Sequence, residues 1–281
     1  MGNQIKIAGI QAAGGPDVEK NMRKAGLLIE LAKEQGASIV ALPQLFNTRF
    51  FPCSINKDNF SLAEGADGPT MSFLKGVAKD HCVTIVASIF EKDGGGFFNT
   101  AFCLGPDGGI IGRYRKIHVP NIPLWEERFY FKKGNLGFPV FDLGGIKAGI
   151  LLCWDVFFPE CFRALALKGA ELVIAPTASA FEHSNKKWET AIMAAAHANG
   201  MYVLRVNRVG REERQDFYGK SFCVGPDGEF ILAPSGPSEG VAIAAIDLSE
   251  IARVRNDWVF LKDRRPEEYH DLVCAKGEDE A

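Results

Sequence analysis

The order of apolar runs and chain breakers predicts an α/β protein built from two similar halves, whose two sheets pack face to face with helices outside. Three observations predict it. Strand-like and helix-like segments alternate along the chain. That order of segments occurs twice. An eight-residue stretch also recurs: Ala101-Phe102-Cys103-Leu104-Gly105-Pro106-Asp107-Gly108 matches Ser221-Phe222-Cys223-Val224-Gly225-Pro226-Asp227-Gly228 at six of eight positions. Gly-Pro-Asp-Gly alone is a favoured turn. The Phe-Cys ahead of it, and the matching elements on either side, point to internal pseudo-duplication. No Pro- or Ser-rich linker divides the halves. Residues 1–275 are therefore expected to form one domain, and 276–281 a polar, acidic tail.

In the first half, residues 5–11 alternate as a strand. Asp17 is placed to cap a helix running to about residue 35, with Leu27, Leu28, Leu31 and Ala32 on one stripe and Gly36 as the stop. A short apolar strand at 38–42 ends at Pro43, and a second helix is predicted over 69–79. A strand at 83–90 turns through Gly94-Gly95-Gly96 into 98–104, and Pro106-Asp107-Gly108 leads into 110–114. In the second half, 140–142 and 148–152 read as strands and 158–167 as a helix. The strand at 172–175 ends at Pro176, much as 39–42 ends at Pro43. A helix over 187–199 and strands at 202–207 and 221–224 follow.

With 32 basic and 35 acidic residues the net charge is −3, which argues against a nucleic-acid or polybasic membrane surface. The 21 Phe and many branched aliphatics exclude disorder over most of the chain. No apolar run approaches the roughly 18 residues needed to span a bilayer. The N-terminus lacks a signal-peptide pattern, and Lys6 stands where a myristoylation motif wants Ser or Thr. Seven cysteines, an odd number, cannot all pair internally, so a reducing, cytoplasmic compartment is expected. Cys-x-x-Cys, His-x-x-x-His, Gly-x-Gly-x-x-Gly and Walker patterns are absent.

Four segments are candidates for chemistry. In Ile150-Leu151-Leu152-Cys153-Trp154-Asp155 an apolar strand stops at a Cys, with Pro159 at a helix start. A thiol there would sit by a helix N-terminus, which favours a thiolate; a buried structural Cys is the alternative. In Arg113-Tyr114-Arg115-Lys116-Ile117-His118, alternation turns Lys116 to the face opposite Arg113 and Arg115, though a solvated strand end would look similar. His118 reads as a hydrogen-bonded loop residue or a base. In Leu42-Pro43-Gln44 a strand stops at a polar residue. In 125–131, Glu126 and Glu127 lie amid four aromatics, either on a solvated helix face or lining a pocket.

Together these segments resemble the nitrilase superfamily of carbon–nitrogen hydrolases, over nearly the whole chain. The resemblance includes Asp17-Val18-Glu19-Lys20-Asn21, Tyr114-Arg115-Lys116-Ile117-His118-Val119-Pro120, Glu127-Arg128-Phe129-Tyr130-Phe131, Cys153-Trp154-Asp155, Asn207-Arg208-Val209-Gly210 and Asp263-Arg264-Arg265-Pro266. It implies a four-layer αββα sandwich and hydrolysis of non-peptide C–N bonds without metal or cofactor. It also implies homodimers or larger homo-oligomers, for which the helices at 158–167 and 187–198 are candidates. Residue by residue, it makes Cys153 the nucleophile, Lys116 the cation for the tetrahedral intermediate and Glu127 a supporting acid. Trp154 would lend its backbone N–H to the oxyanion.

One position departs. Where the resemblance expects a base Glu after the early Pro, this chain has Gln44. A carboxamide keeps much of the shape and hydrogen bonding but cannot accept the thiol proton. A variant inactivated to trap a substrate fits best, because the neighbouring motifs are intact. A natural member with altered activity, or Glu127 acting alone as base, would also account for it. The branch most similar acts on N-carbamoyl amines, such as N-carbamoylputrescine amidase and β-ureidopropionase. Asp155, Val156, Phe157 and Phe158 stand where carboxylate-binding arginines would follow the Cys. An amine-bearing or neutral tail is therefore expected, with Asp155 as a structural acid. The alternatives are an aliphatic amidase or nitrilase, and a catalytically dead binding or assembly protein on the same scaffold. Of the other thiols, Cys82, Cys103, Cys161 and Cys223 are expected to pack, Cys53 to lie in a loop and Cys274 in the tail.

Overall fold

A computed structural model describes residues 4–274; the acidic tail expected at 276–281 lies outside them. The first half supplies β1 (Gln4–Gln11), α1 (Val18–Glu34), β2 (Ile39–Ala41), α2 (Pro69–His81), β3 (Thr84–Asp93), β4 (Gly96–Leu104) and β5 (Ile110–Arg115). A four-residue helix α3 (Glu127–Tyr130) and strand β6 (Val140–Asp142) follow. Then come β7 (Lys147–Ile150), α4 (Pro159–Leu167), β8 (Leu172–Pro176), α5 (Asn185–Asn199) and β9 (Tyr202–Val206). The chain closes with β10 (Val209–Glu212), β11 (Gln215–Tyr218), β12 (Phe222–Val224), β13 (Phe230–Leu232), β14 (Gly240–Asp247) and α6 (Leu248–Asp257).

Two six-stranded sheets form, in the orders β14-β1-β2-β3-β4-β5 and β13-β12-β9-β8-β7-β6. The duplication is visible in their senses. β1, β2 and β3 run parallel and β4 and β5 antiparallel; β7, β8 and β9, then β12 and β13, repeat this. Each set carries one further antiparallel strand on its parallel side, β14 on β1 and β6 on β7. The twin Gly-Pro-Asp-Gly turns are also alike: Gly105 N–H donates to Gly109 O at 2.7 Å, and Gly225 N–H to Glu229 O at 2.8 Å.

Alternation along the strands builds the layers. Ile7, Val86, Ile150, Ile174 and Leu204 fill the space between the sheets. Ala8, Ile10, Ile85 and Phe102 face Ile29, Met71 and Leu74 of the first helical layer. Val173 and Val203 face Phe162, Leu165 and Ile192 of the second. The result is the four-layer αββα arrangement. At Gly9 the sheets come so close that a Cβ would lie 2.9 Å from Val206 Cγ2.

Some expectations shift. Asp17 caps α1, accepting from Lys20 N–H at 3.0 Å, but the buried stripe is Ala25, Ile29 and Ala32; Leu27 and Leu31 are exposed. The apolar stripe alone did not say which flank faces the sheet. β7 leaves its ladder at Ile150, so Leu151 and Leu152 carry the chain on to the cysteine turn. Cys82, expected to pack, is exposed because it forms the left-handed C-cap of α2 at φ 49°. Cys53 ends a short 3-10 turn in the connection between β2 and α2 and is buried, and Cys103, Cys161 and Cys223 are buried as expected. Among the described residues no helix is long and apolar enough to cross a membrane.

Candidate active site

The parallel strands deliver their C-terminal ends to one edge of the sandwich, where ligands gather in open α/β sheets. Gln44 follows β2, Cys153 follows β7, Ala178 and Ser179 follow β8, and Asn207 and Arg208 follow β9; Lys116 leaves the end of antiparallel β5. Cys153 sits at the strand-to-helix turn that the sequence suggested, ahead of helix α4 starting at Pro159. It starts a 3-10 turn (Cys153–Phe157) at φ 50°. A left-handed conformation at a non-glycine residue is strained, and such strain gathers at functional sites.

Three of the candidates touch. Lys116 Nζ donates to Glu127 Oε2 at 2.6 Å, and Gln44 Nε2 donates to Glu127 Oε1 at 3.3 Å. All three side chains are buried. Glu127 is therefore an interior acid and not part of a solvated helix face. Gln44 Oε1 is buried without a hydrogen-bond partner among the described residues. Turning the amide over would point that oxygen at a carboxylate, so the orientation follows from the network.

The backbone that carries Gln44 is held from the other half. Arg208 donates to the carbonyls of Gln44 and Leu45, each at 2.9 Å, and of Thr48 at 2.7 Å, while Glu212 balances its charge. This clamp spans the left-handed turn at Leu45, φ 53°. Asn207 likewise fixes the strand end after β8, accepting from Ser179 N–H at 2.9 Å and donating to Ser179 O at 3.0 Å.

Asp155 is the structural acid that was expected. It is fully buried and accepts from Tyr114 Oη (2.7 Å), the backbone N–H groups of His118 (2.9 Å) and Leu152 (3.0 Å), and the His118 ring. The His118 ring also stacks on Phe158 at 3.6 Å, so it is committed to packing rather than free as a base. Asp155→Asn sets an NH₂ against these donors. We expect about 2–4 kcal/mol of lost stability, read from urea unfolding; a change within 0.5 kcal/mol would refute this role.

Cys153 borders a cavity of about 340 Å³ walled by Trp125, Trp154, Phe157, Phe181 and Trp188. Trp154 lines this cavity. Burial pushes the Cys153 thiol up; the Lys116 ammonium pulls it down, Glu127 pushes it up, and the net shift is upward. Burial also opposes the charge on Lys116, but Glu127 and Cys153 outweigh it and leave its pKa above the ordinary lysine value. Burial and Glu127 thus work against a thiolate at Cys153, opposite to the helix-dipole expectation. Its thiolate is lost as pH falls, so alkylation by iodoacetamide should rise with pH and have its midpoint above that of a free small thiol. A midpoint below that reference would show a preformed thiolate.

Several site residues escaped the sequence reading: Ser179, Lys187, Trp188, Arg205 and Tyr218. Arg205 left a signal, a charge inside the apolar run Tyr202-Val203-Leu204-Arg205-Val206. The others left none, because they come together only in the fold: Ser179 follows β8, Lys187 and Trp188 lie on α5 and Tyr218 on β11.

Comparison with known proteins gives the family. A family model described as carbon–nitrogen hydrolase matches residues 6–256. The chain is similar to the N-carbamoylputrescine amidase of Solanum tuberosum, at 34% identity over 97% of this chain and 96% of that one. It is similar to a nitrilase of Pyrococcus abyssi, at 39% identity over 94% of this chain and 99% of that one. Among solved structures, one is a variant of the amidase from Nesterenkonia sp. AN1 with a glutamate changed to glutamine. It shows covalent addition of the acetamide moiety of fluoroacetamide at the active-site cysteine. It superposes with a TM-score of 0.83 at 28% identity, over 96% of this chain and 97% of that one.

Proposed function

The chain belongs to the carbon–nitrogen hydrolase family, and from that membership we propose that it hydrolyses an N-carbamoyl amine or a small amide through a thioester on Cys153. The observation that supports this most is Cys153 on an aromatic cavity, with Lys116 and Glu127 paired and buried behind it. The Cys153 sulfur attacks the amide or carbamoyl carbon, and its proton passes to the departing nitrogen, which leaves as ammonia. Water then adds to the thioester carbon and returns the thiol. Lys116 supplies positive charge where the tetrahedral oxygen turns negative, with the Trp154 backbone N–H as a second donor. Glu127 holds Lys116 in place.

Gln44 alters the tempo. It cannot take the thiol proton or activate the second water. Glu127 is already engaged by Lys116 and Gln44. The form with Gln44 is therefore read as slow, and as one that accumulates acyl-enzyme. The solved Nesterenkonia variant, in which a glutamate-to-glutamine change coexists with an adduct on the cysteine, supports the view that a carboxamide near such a thiol leaves it able to form a covalent bond.

Gln44 also favours a second reading, a scaffold kept for binding or assembly. The deciding experiment is ammonia release by the Gln44→Glu form with N-carbamoyl amines, ω-amides and nitriles. Release from carbamoyl amines or amides supports the enzyme. A Cys153 inert to electrophiles, together with no turnover after the change, supports the binding protein. Nitrile turnover in preference to amides would favour a nitrilase.

A further inference from the structure

The cavity wall carries a hydrogen-bond relay that starts at a buried cation. Arg205 of β9 is fully buried, yet no carboxylate pairs with it among the described residues. Its Nη2 donates to Tyr218 Oη at 3.0 Å, its Nη1 to Lys220 O at 2.9 Å, and its Nε has no partner. The guanidinium carbon lies 4.8 Å from the Trp188 ring centroid and 5.5 Å from that of Tyr218.

The first proton direction follows from the chemistry. Arginine only donates, so Tyr218 Oη accepts from Arg205 and keeps its own proton free to give. Ser179 Oγ lies 2.8 Å away, and either hydroxyl can donate in that contact; with Tyr218 as the donor the chain runs from Arg205 through Tyr218 to Ser179. Ser179 then has its own proton to give. Ser184 Oγ is a poor protein acceptor for it at 3.5 Å and already donates to Phe181 O at 2.6 Å. Ser179 and Ser184 both line the cavity. The relay therefore presents a hydroxyl donor to whatever fills that space.

The charges at the cavity agree. Among the described residues the titratable side chains lining it, apart from Cys153, are His183 and Lys187. The nearby carboxylates have other partners: Glu182 lies 3.7 Å from Lys220, and Glu189, whose charge also reaches Arg205, accepts from Asn185 and Lys186, each at 2.9 Å. Lys187 is exposed and has no ion-pair partner among the described residues. An ammonium tail would meet one cation at the mouth and a second behind Trp188, whose ring is already engaged by Arg205.

We propose that this cavity selects substrates whose tail ends in a hydrogen-bond acceptor, a carboxylate above all, and rejects those ending in an ammonium, with Ser179 and Lys187 as the donors that read the tail. The inference rests on the hydrolase reading above and departs from the amine-bearing tail that the sequence suggested. A tail carboxylate is reached across the aromatic walls and needs no arginine beside the cysteine, so the apolar residues after Asp155 do not oppose it.

The test uses three ureas with equal three-methylene tails: 4-ureidobutyrate, butylurea and 3-aminopropylurea. Protection of Cys153 from iodoacetamide is measured in the Gln44 protein, where slow deacylation lets both the bound and the acylated states report which tail is accepted. We expect half-protection by 4-ureidobutyrate at a concentration on the order of tenfold or more below that of 3-aminopropylurea. Lys187→Met and Ser179→Ala should each bring 4-ureidobutyrate several-fold closer to butylurea. Lys187 is exposed, so its variant keeps the test meaningful if Ser179→Ala fails to fold. Equal protection by the carboxylate and ammonium compounds, including none by either, overturns the proposal, as does better protection by the ammonium compound. Butylurea turnover by the Gln44→Glu form reports separately on the hydrolase reading.

Discussion

Replacing Gln44 with glutamate raises ammonia release by a factor on the order of 10² to 10⁴. The carboxamide already fills the position: it is buried, its nitrogen meets Glu127 at 3.3 Å, and its oxygen has no partner among the described residues. A carboxylate in its place gains a proton-accepting oxygen without a change of shape. It also faces the Glu127 carboxylate. Two acids sharing one ammonium cannot both ionise freely, so one of them titrates nearer neutrality, where a general base works best. The rate should fall with falling pH as that base takes up a proton, and the Gln44 form should lack this limb. The measurement is kcat/KM for one carbamoyl amine from pH 5 to pH 9 in both forms. Equal rates, or parallel profiles, would remove the base role from position 44.

Removing the cation is the second large perturbation. In the Gln44→Glu background, Lys116→Met should lower kcat by about 10²–10³, the usual effect of deleting one donor to a developing oxyanion. It should also destabilise the fold by about 3–5 kcal/mol, because Glu127 is left charged in the interior. The two effects separate with a second change. Adding Glu127→Gln removes the stranded charge and should restore most of the stability, while activity stays low. Full recovery of activity in that double variant would show that Lys116 serves only to neutralise Glu127. Urea unfolding and initial rates on the same preparations distinguish the outcomes.

Much of the fold was readable because the duplicated elements bury their apolar residues in register with each other. Pro43 and Pro176 mark matching strand ends, and Cys103 and Cys223 occupy matching core positions. The hairpin of β10 and β11 was not readable, since Val209–Tyr218 is mostly polar and stands outside both large sheets. β14 does alternate, with Ala242, Ala244 and Ile246 buried. Nothing local says that it pairs with β1 at the far end of the chain. The site divides in the same way. Cys153, Lys116 and Gln44 each end a recognisable run, whereas Ser179 and Tyr218 gain meaning only from their contact with each other. The resting state of the thiol depends on burial and on two opposed charges, neither of which a single segment records.

The Arg208 clamp bears on how such a repeat can be used. The first half brings Gln44, Lys116 and Glu127; the second brings Cys153, Ser179 and the guanidinium that fixes the turn behind Gln44. Neither repeat holds all of these residues, so a twofold architecture yields one such cluster per chain instead of two. A nick between α3 and β6 would part Cys153 from Gln44, Lys116 and Glu127. The two fragments would then be like a divided reporter, silent apart and competent only on reassociation.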